Sequence, residues 1–539
     1  MSAPSTRSVG FNSRRPIPPE LAAAWHRSGW WTPDTLSDVI SADVDLFRTA
    51  CVIDGVRYSF GGLRRWSQAV AQELRRRGVR RGDRVLIQLV NSVELLITVM
   101  ACWRLGAIAV PVLPLFRRHE LISVLRQVQP AAVVCETRGR ERTADVDAAA
   151  HAVGSVPPLR YCVGRPAAGW RSFPIDVPTP ADVPLPGFAG PEDCALVLFT
   201  SGTTAEPKGV RHDSYSLLAE VASYRRSADL SERDVIFNPA PIGHVGALVI
   251  STLVPWSIGC SVVLQSRWDP AAAIDTIART GVTFAVGAPV FLNDLISRQA
   301  HGGGPLVAKF QTGAAATSTS LLRRATDAGV TVWRAWGMTE APTVSYGSPS
   351  DDEELRCETD GRIEPGSEVV AVDDAGQRLP PGVEGELVLR SPKQMMGYVD
   401  PACDQWCPGG WLATGDLGVV DSHGRVRITG RVKDIVNRGG EKFSCREIED
   451  ALSAHPAVND VVALGVPDDR LGEQVIAFAT LRPGVDDPGL PAFGIHLAGL
   501  GVAAQKHPVA ITVVDELPRT ATGKIRKSEL AARWAARHR

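Results

Sequence analysis

Residues 196–210 read LVLFTSGTTAEPKGV, and the fold turns on that stretch. An apolar run of the kind that makes a buried strand empties into a loop of Thr200, Ser201, Gly202, Thr203 and Thr204, closed by Pro207, Lys208 and Gly209. Such a loop suits a polyphosphate. Glycine lets backbone N–H groups approach closely, the hydroxyls donate to phosphate oxygens, and Lys208 supplies a compact positive charge. A Ser/Thr/Gly linker is the bland alternative. It is not a Walker A loop, because Lys208 precedes Gly209 and is not followed by Ser or Thr. Residues 213–224 follow as a helix capped by Asp213, with Leu217, Leu218, Val221 and Tyr224 on one side. The expected frame is strand, loop, helix.

Working outward, helical and strand patterns alternate upstream. Helices are expected over 60–77, 93–104 and 119–127, and strands over 84–89, 107–112 and 131–135. Downstream a second alternating block has strands at 235–238, 261–264, 283–286 and 331–333, with a helix at 271–280. That rhythm implies parallel βαβ units, so the fold class is α/β, with two layered halves. The proline-rich span 164–193 reads as a surface crossing, since proline denies a central strand its donors.

From about Gly361 the character changes to short strands and Gly-rich turns, at 385–390, 417–420 and 426–428, which reads as a small antiparallel β subdomain. Beyond Gly430 the chain becomes α+β, with a helix from Ser444 boxed by Glu447, then strands near 458–466 and 474–481. The domain division is therefore 1–432 and 433–539.

A chain of 539 residues exceeds one ordinary core, and 44% hydrophobic with 22% charged residues reads as globular. The formal net charge of -1 gives no general attraction to nucleic acid or anionic membrane, so any phosphate chemistry is local. No secretory h-region opens the chain. The most membrane-like stretch, 245–264, carries no charge but contains Pro255 and Gly259, and divides into a buried helix and a strand. The ten cysteines lack a CxxC pair or partnered histidines, which suits reduced thiols in a cytoplasmic enzyme and not a zinc site.

Read with later motifs, the loop resembles the ANL superfamily of adenylate-forming enzymes, over about residues 35–532 and in the family's order. Trp336-Gly337-Met338-Thr339-Glu340 looks like the family's YGMTE segment, with Trp for Tyr. A glutamate beside a polyphosphate needs a cation between them, so the resemblance makes Glu340 the Mg2+ ligand and Thr339 a donor to the α-phosphate. Trp336 would keep an aromatic wall for adenine while losing a hydroxyl. Thr414-Gly415-Asp416 resembles the TGD motif, whose carboxylate accepts both ribose hydroxyls. Arg431 matches the arginine that contacts the nucleotide and Lys433 the hinge position. Lys524, in ATGKIRK, resembles the catalytic lysine, which stabilises charge accumulating as a carboxylate attacks the α-phosphorus. Gly439 and Gly440 match the passage for the pantetheine thiol. Ala205 stands where the family's loop usually has glycine.

The resemblance implies ATP, Mg2+ and coenzyme A as cofactors and a small carboxylic acid as substrate. His244 matches the position between nucleotide and acyl pockets. Val245 stands where aryl-acid ligases of siderophore pathways carry Asn, which favours an aliphatic or alicyclic acid. Gly246, Ala288, Pro289, Gly313, Ala314 and Ala315 would complete a wall of small residues. Coenzyme A is the preferred acceptor and a carrier protein the alternative; a non-catalytic nucleotide- or acyl-binding protein is the reading from another class. A homodimer is a possible assembly.

Overall fold

The computed structural model describes the chain except residues 1–9, 13–14, 138–141, 175–184, 201–205, 301–306, 439–440, 469, 521–522 and 538–539. Ser201, Gly202, Thr203, Thr204, Gly439 and Gly440 therefore lie outside the described residues.

The two alternating blocks form two large sheets. One has eight strands, running from Gly397–Tyr398 through Lys208–Asp213, Cys194–Thr200, Ile108–Pro111, Arg84–Gln88, Ala132–Glu136 and Leu159–Val163 to Arg171–Ser172. The other has nine and runs from Arg362–Ile363 through Ala341–Tyr346, Thr331–Met338, Lys309–Thr312, Phe284–Gly287, Val235–Asn238 and Ser261–Leu264 to Thr49–Ile53 and Val56–Ser59. The first strand of the chain thus joins the second sheet, with Cys51 opposite Val262 in parallel register. Between the sheets lie the helices Phe60–Arg76, Val93–Leu105, Ser214–Ser227 and Val245–Ile258, and one apolar cluster takes residues from both sheets and all four helices.

Local chemistry accounts for these helices. Asp213 caps Ser214–Ser227 by accepting from the Ser216 N–H at 2.9 Å. Val245–Ile258 has no charge because it is packed all round, and Gly259 ends it at φ 83°. No helix among the described residues is long and apolar enough to cross a membrane.

Two sequence expectations are corrected. After the opening loop the chain makes a strand before its helix: Lys208–Asp213 returns antiparallel to Cys194–Thr200, with Thr200 opposite Lys208. Gly397–Tyr398 supplies the second partner that holds this segment extended. The capping box at Ser444 does not close. Ser444 accepts from the Arg446 N–H at 3.2 Å, whereas Glu447 turns to the Lys506 ammonium at 2.7 Å, since a cation in reach outcompetes a backbone N–H.

The small antiparallel sheet comprises Glu368–Val372, Gly385–Arg390, Trp406–Cys407, Trp411–Val420 and Val426–Arg431. A separate sheet begins at Ile435 and, with the helices Cys445–Ser453, Gly489–Gly499 and Lys527–Arg537, makes the small C-terminal domain. The N-terminal segment fastens the large domain: Trp25 donates to the Gly366 carbonyl at 2.8 Å, Trp31 to that of Pro392 at 2.9 Å, and Arg15 pairs with Asp213.

Candidate active site

The site grows from one hairpin. Thr331–Met338 and Ala341–Tyr346 pair antiparallel, with a bulge between Trp336 and Met338 that turns Thr339 and Glu340 out at the tip. Gly337 is required there, because a Cβ would lie 2.4 Å from the Thr343 nitrogen. Thr343 itself sits at φ 28°, an unusual conformation for a β-branched residue. A buried ion cluster holds it. The Lys393 ammonium donates to the Thr343 carbonyl and pairs with Glu364, while Glu220 accepts from the Thr343 hydroxyl at 2.6 Å. Burial pushes the Glu220 carboxyl up to about 7.

The tip is fixed from the neighbouring sheet. His212 donates from Nε2 to the Thr339 carbonyl at 2.8 Å, which makes Nδ1 the acceptor for the Ser216 hydroxyl at 3.1 Å. Burial lowers the His212 pKa to about 4, so the imidazole is neutral. The Met395 N–H donates to the Glu340 carbonyl at 2.7 Å, and the Tyr398 hydroxyl donates to Glu340 Oε1. Lys208 lies over the Tyr398 ring, 5.3 Å from its centroid.

Opposite stands Asp416, 4% exposed. Arg431, its register partner, donates from Nε to Oδ1 at 2.8 Å, and the Trp336 indole donates to Oδ2 at 2.8 Å. The Trp336 ring is only 7% exposed and packs among Val210, Val344 and Leu389, so its polar edge rather than its open face meets the site. Each carboxylate oxygen of Asp416 keeps a further lone pair.

The C-terminal domain brings Lys524 to this place. Its loop is a tight turn, with the Gly523 N–H donating to the Thr520 carbonyl at 2.9 Å and the Thr520 N–H to that of Lys524 at 2.7 Å. Gly523 has φ +80°, and a Cβ on it would lie 2.5 Å from Val290 and 3.4 Å from Ala288, so the loop is seated directly on these two residues. Burial lowers the Lys524 pKa, as do Arg431 and Lys433, while Asp416 and Glu340 oppose them. The same ammonium, after burial, lowers the His244 pKa to about 3; His244 is neutral and its Nε2 has no partner among the described residues.

The remaining wall is close-packed. Val245 is buried at 8%, and a Cβ on Gly246 would lie 3.2 Å from the Tyr224 hydroxyl. Pro289 opens the helix Pro289–Ala300 directly after buried Ala288. A Cβ on Gly313 would meet the Ala335 carbonyl at 2.9 Å, and Ala314 adopts φ 66° before Ala315. Lys433 lies in a single turn, Val432–Asp434, that leads into the C-terminal sheet. Sequence reading missed His212 and Tyr398. Both lie in strands that the sequence reading left unassigned, and Gly397, which takes φ +128° just before Tyr398, was the available signal.

A model described as "AMP-binding enzyme" matches residues 42–399, and its C-terminal-domain counterpart matches 447–524. The chain belongs to the AMP-binding enzymes of the ANL superfamily. Over 535 residues it is 31% identical to a medium-chain fatty-acid–CoA ligase of Escherichia coli, covering 96% of this chain and 93% of that protein. It is also 31% identical to a salicylyl-CoA synthase / salicylate adenylyltransferase of a Streptomyces species, covering 96% of both. An anthranilate CoA ligase solved with anthranoyl-AMP superposes with a TM-score of 0.84 at 26% identity, covering 94% of this chain and 98% of that one. As a member, this AMP-binding enzyme is an adenylate-forming enzyme of a family that uses ATP and coenzyme A.

Proposed function

We propose that this AMP-binding enzyme activates an aliphatic or alicyclic carboxylic acid as its acyl-adenylate and passes the acyl group to coenzyme A. The observation that carries the reading is Lys524, delivered by the C-terminal domain beside Glu340, Asp416, Arg431 and His244. A substrate carboxylate oxygen attacks the α-phosphorus, the bond to the β-phosphate breaks, and pyrophosphate leaves. Lys524 stabilises the charge gathering between two anions in that transition state. Asp416 holds the ribose diol, Lys208 and Thr200 with the loop after it hold the departing phosphates, and Thr339 donates to the α-phosphate. Neutral His244 can donate a hydrogen bond to the acid without attracting a proton from it.

Among the described residues no cluster of three or more His, Cys, Asp or Glu could hold a metal on its own. Mg2+ fits here in the other way open to it, bound by one carboxylate, Glu340, together with substrate phosphates. The ion would neutralise phosphate charge. In the second step the C-terminal domain, hinged at Lys433 with the division placed between 432 and 433, turns away. The pantetheine thiol then enters past Gly439 and Gly440 and attacks the acyl carbon as AMP leaves.

Acid-dependent exchange of pyrophosphate into ATP without CoA tests the first step. Thioester formation with CoA tests the second. No exchange across a broad acid panel refutes the proposal, and thioester forming only on a phosphopantetheinylated carrier would transfer the acceptor role to a carrier protein.

A further inference from the structure

Gln311 lies in the middle of the strand Lys309–Thr312 and is 2% exposed, yet its Oε1 has no hydrogen-bond partner among the described residues. Beside it in the sheet, in parallel register, stands Trp333, 0% exposed, whose indole N–H likewise has no partner among the described residues. Buried polar atoms are almost always paired, so an acceptor and a donor left open on neighbouring strands call for an occupant.

Strand alternation shows where they face. Phe310 and Val332 point to one side, into the cluster with Leu321 and Leu322. Gln311 and Trp333 point to the other, where Trp333 stacks on Phe284, 5.9 Å between ring centroids, in the cluster that lies between the two sheets. Gly313 and Ala335 are two residues further along the same strands on that face, and they touch. The Gly313 N–H donates to the Gly287 carbonyl at 3.2 Å, next to Ala288, and the Lys524 loop sits on Ala288 and Val290. Two strand residues span about 7 Å, so the open pair lies about that far below the point where the carboxylate meets His244 and Lys524.

We infer that the acid carries a hydroxyl group about 7 Å from its carboxylate, which donates to Gln311 Oε1 and accepts from the Trp333 indole N–H. This rests on the acid-activating reading above and narrows it to hydroxylated acids. One hydroxyl satisfies both orphans at once, because it is donor and acceptor together. A methyl in its place would leave both buried groups unpaired, and a site built in this way discriminates strongly against the analogue that lacks the polar group. Val245 at the mouth and the small wall suit the apolar body between the two ends.

The test compares matched pairs of acids in pyrophosphate exchange: hexanoate with 5- and 6-hydroxyhexanoate, and cyclohexanecarboxylate with its 4-hydroxy derivative. Wild-type enzyme is expected to favour one or more hydroxylated members over their parents by about 100-fold in kcat/KM. Gln311→Leu should collapse that ratio while still exchanging with the parent acids, and Trp333→Phe should reduce it by about tenfold. Parents that match or exceed every hydroxylated partner in the wild type would mean a buried water fills the gap, and would overturn the inference while leaving acid activation standing. A preference that survives both substitutions would overturn the assignment to these residues. Exchange with no acid at all would instead remove the activating reading, and this inference with it.

Discussion

Lys524 is a cation in a place that disfavours cations. Burial and the nearby Arg431 hold its pKa below the ordinary lysine value, and that cost is tolerated where a new negative charge is to form. Lys524→Ala is expected to lower adenylation by about two to three powers of ten, roughly 3–4 kcal/mol, because one preorganised charge is lost. Thioester formation from supplied acyl-adenylate should survive, and comparing pyrophosphate exchange with that half-reaction checks the split. Trp336 acts through Asp416. With Phe the indole donor to Oδ2 disappears and the carboxylate is held by Arg431 alone, so Trp336→Phe should raise KM for ATP about tenfold with kcat changed less. A fall in kcat with unchanged KM would contradict it. His212 gives an acid signature. Its folded pKa of about 4 lies below the usual 6.5, so its stabilisation is complete above pH 6.5 and is lost as pH falls toward 4. That window is worth about 3 kcal/mol. Urea midpoints from pH 7 to 4 should therefore fall more steeply for wild type than for His212→Gln.

At the scale of elements, the Lys524 loop and the Glu340 hairpin each depend on a glycine that permits close approach. Gly523→Ala would drive a Cβ to 2.5 Å from Val290 in a left-handed backbone, so the loop must lift off Val290 and Ala288 and carry Lys524 with it. Adenylation is expected to fall by at least tenfold while melting temperature barely moves, since Gly523 is not part of the apolar core of its own domain; an unchanged exchange rate would show that seating does not matter. These elements also show what a sequence can disclose. Strands such as Val235–Asn238 and Ser261–Leu264 were legible to the residue, because apolar runs between turn signals are local information. The strand Thr331–Met338 was read as ending at Trp333, since its second half is held extended by a partner that turns back through Glu340. In Lys208–Asp213, Lys208 and Gly209 read as the close of the loop and Asp213 as a helix cap, since the strand is set by folding back on Cys194–Thr200 and by Gly397–Tyr398 nearly 190 residues away. Trp336, Glu340, Asp416, Arg431 and Lys524, all named from motifs, lie together, but His212, Tyr398 and Gln311 carry no motif of their own. Their roles come from what the fold sets beside them.

For the whole molecule the question is what the two domains do to each other. Arg519, next to the Lys524 turn, pairs with Asp460 inside the C-terminal domain, so the loop moves with that domain as a unit. Across the division the Gly523 turn sits on Val290 and Ala288, and polar pairs join Asn293 to Asn459 at 3.4 Å and the hydroxyls of Ser320 and Ser453 at 3.5 Å. Such an interface can open, as a two-step enzyme with one mobile domain requires. The serine pair offers a direct test. Two hydroxyls at that separation bring the two side chains face to face, so Ser320→Cys with Ser453→Cys should cross-link on oxidation and hold Lys524 in the site. Of the native cysteines, eight are buried and only Cys403 and Cys407 are partly open, so the new bond should form without extensive competition. The oxidised protein is expected to keep pyrophosphate exchange near the wild-type rate and to lose thioester formation by at least tenfold, with reductant restoring it. Equal loss of both steps would mean that the bond distorts the site, and retention of both would mean that thioester formation needs no rotation of the C-terminal domain.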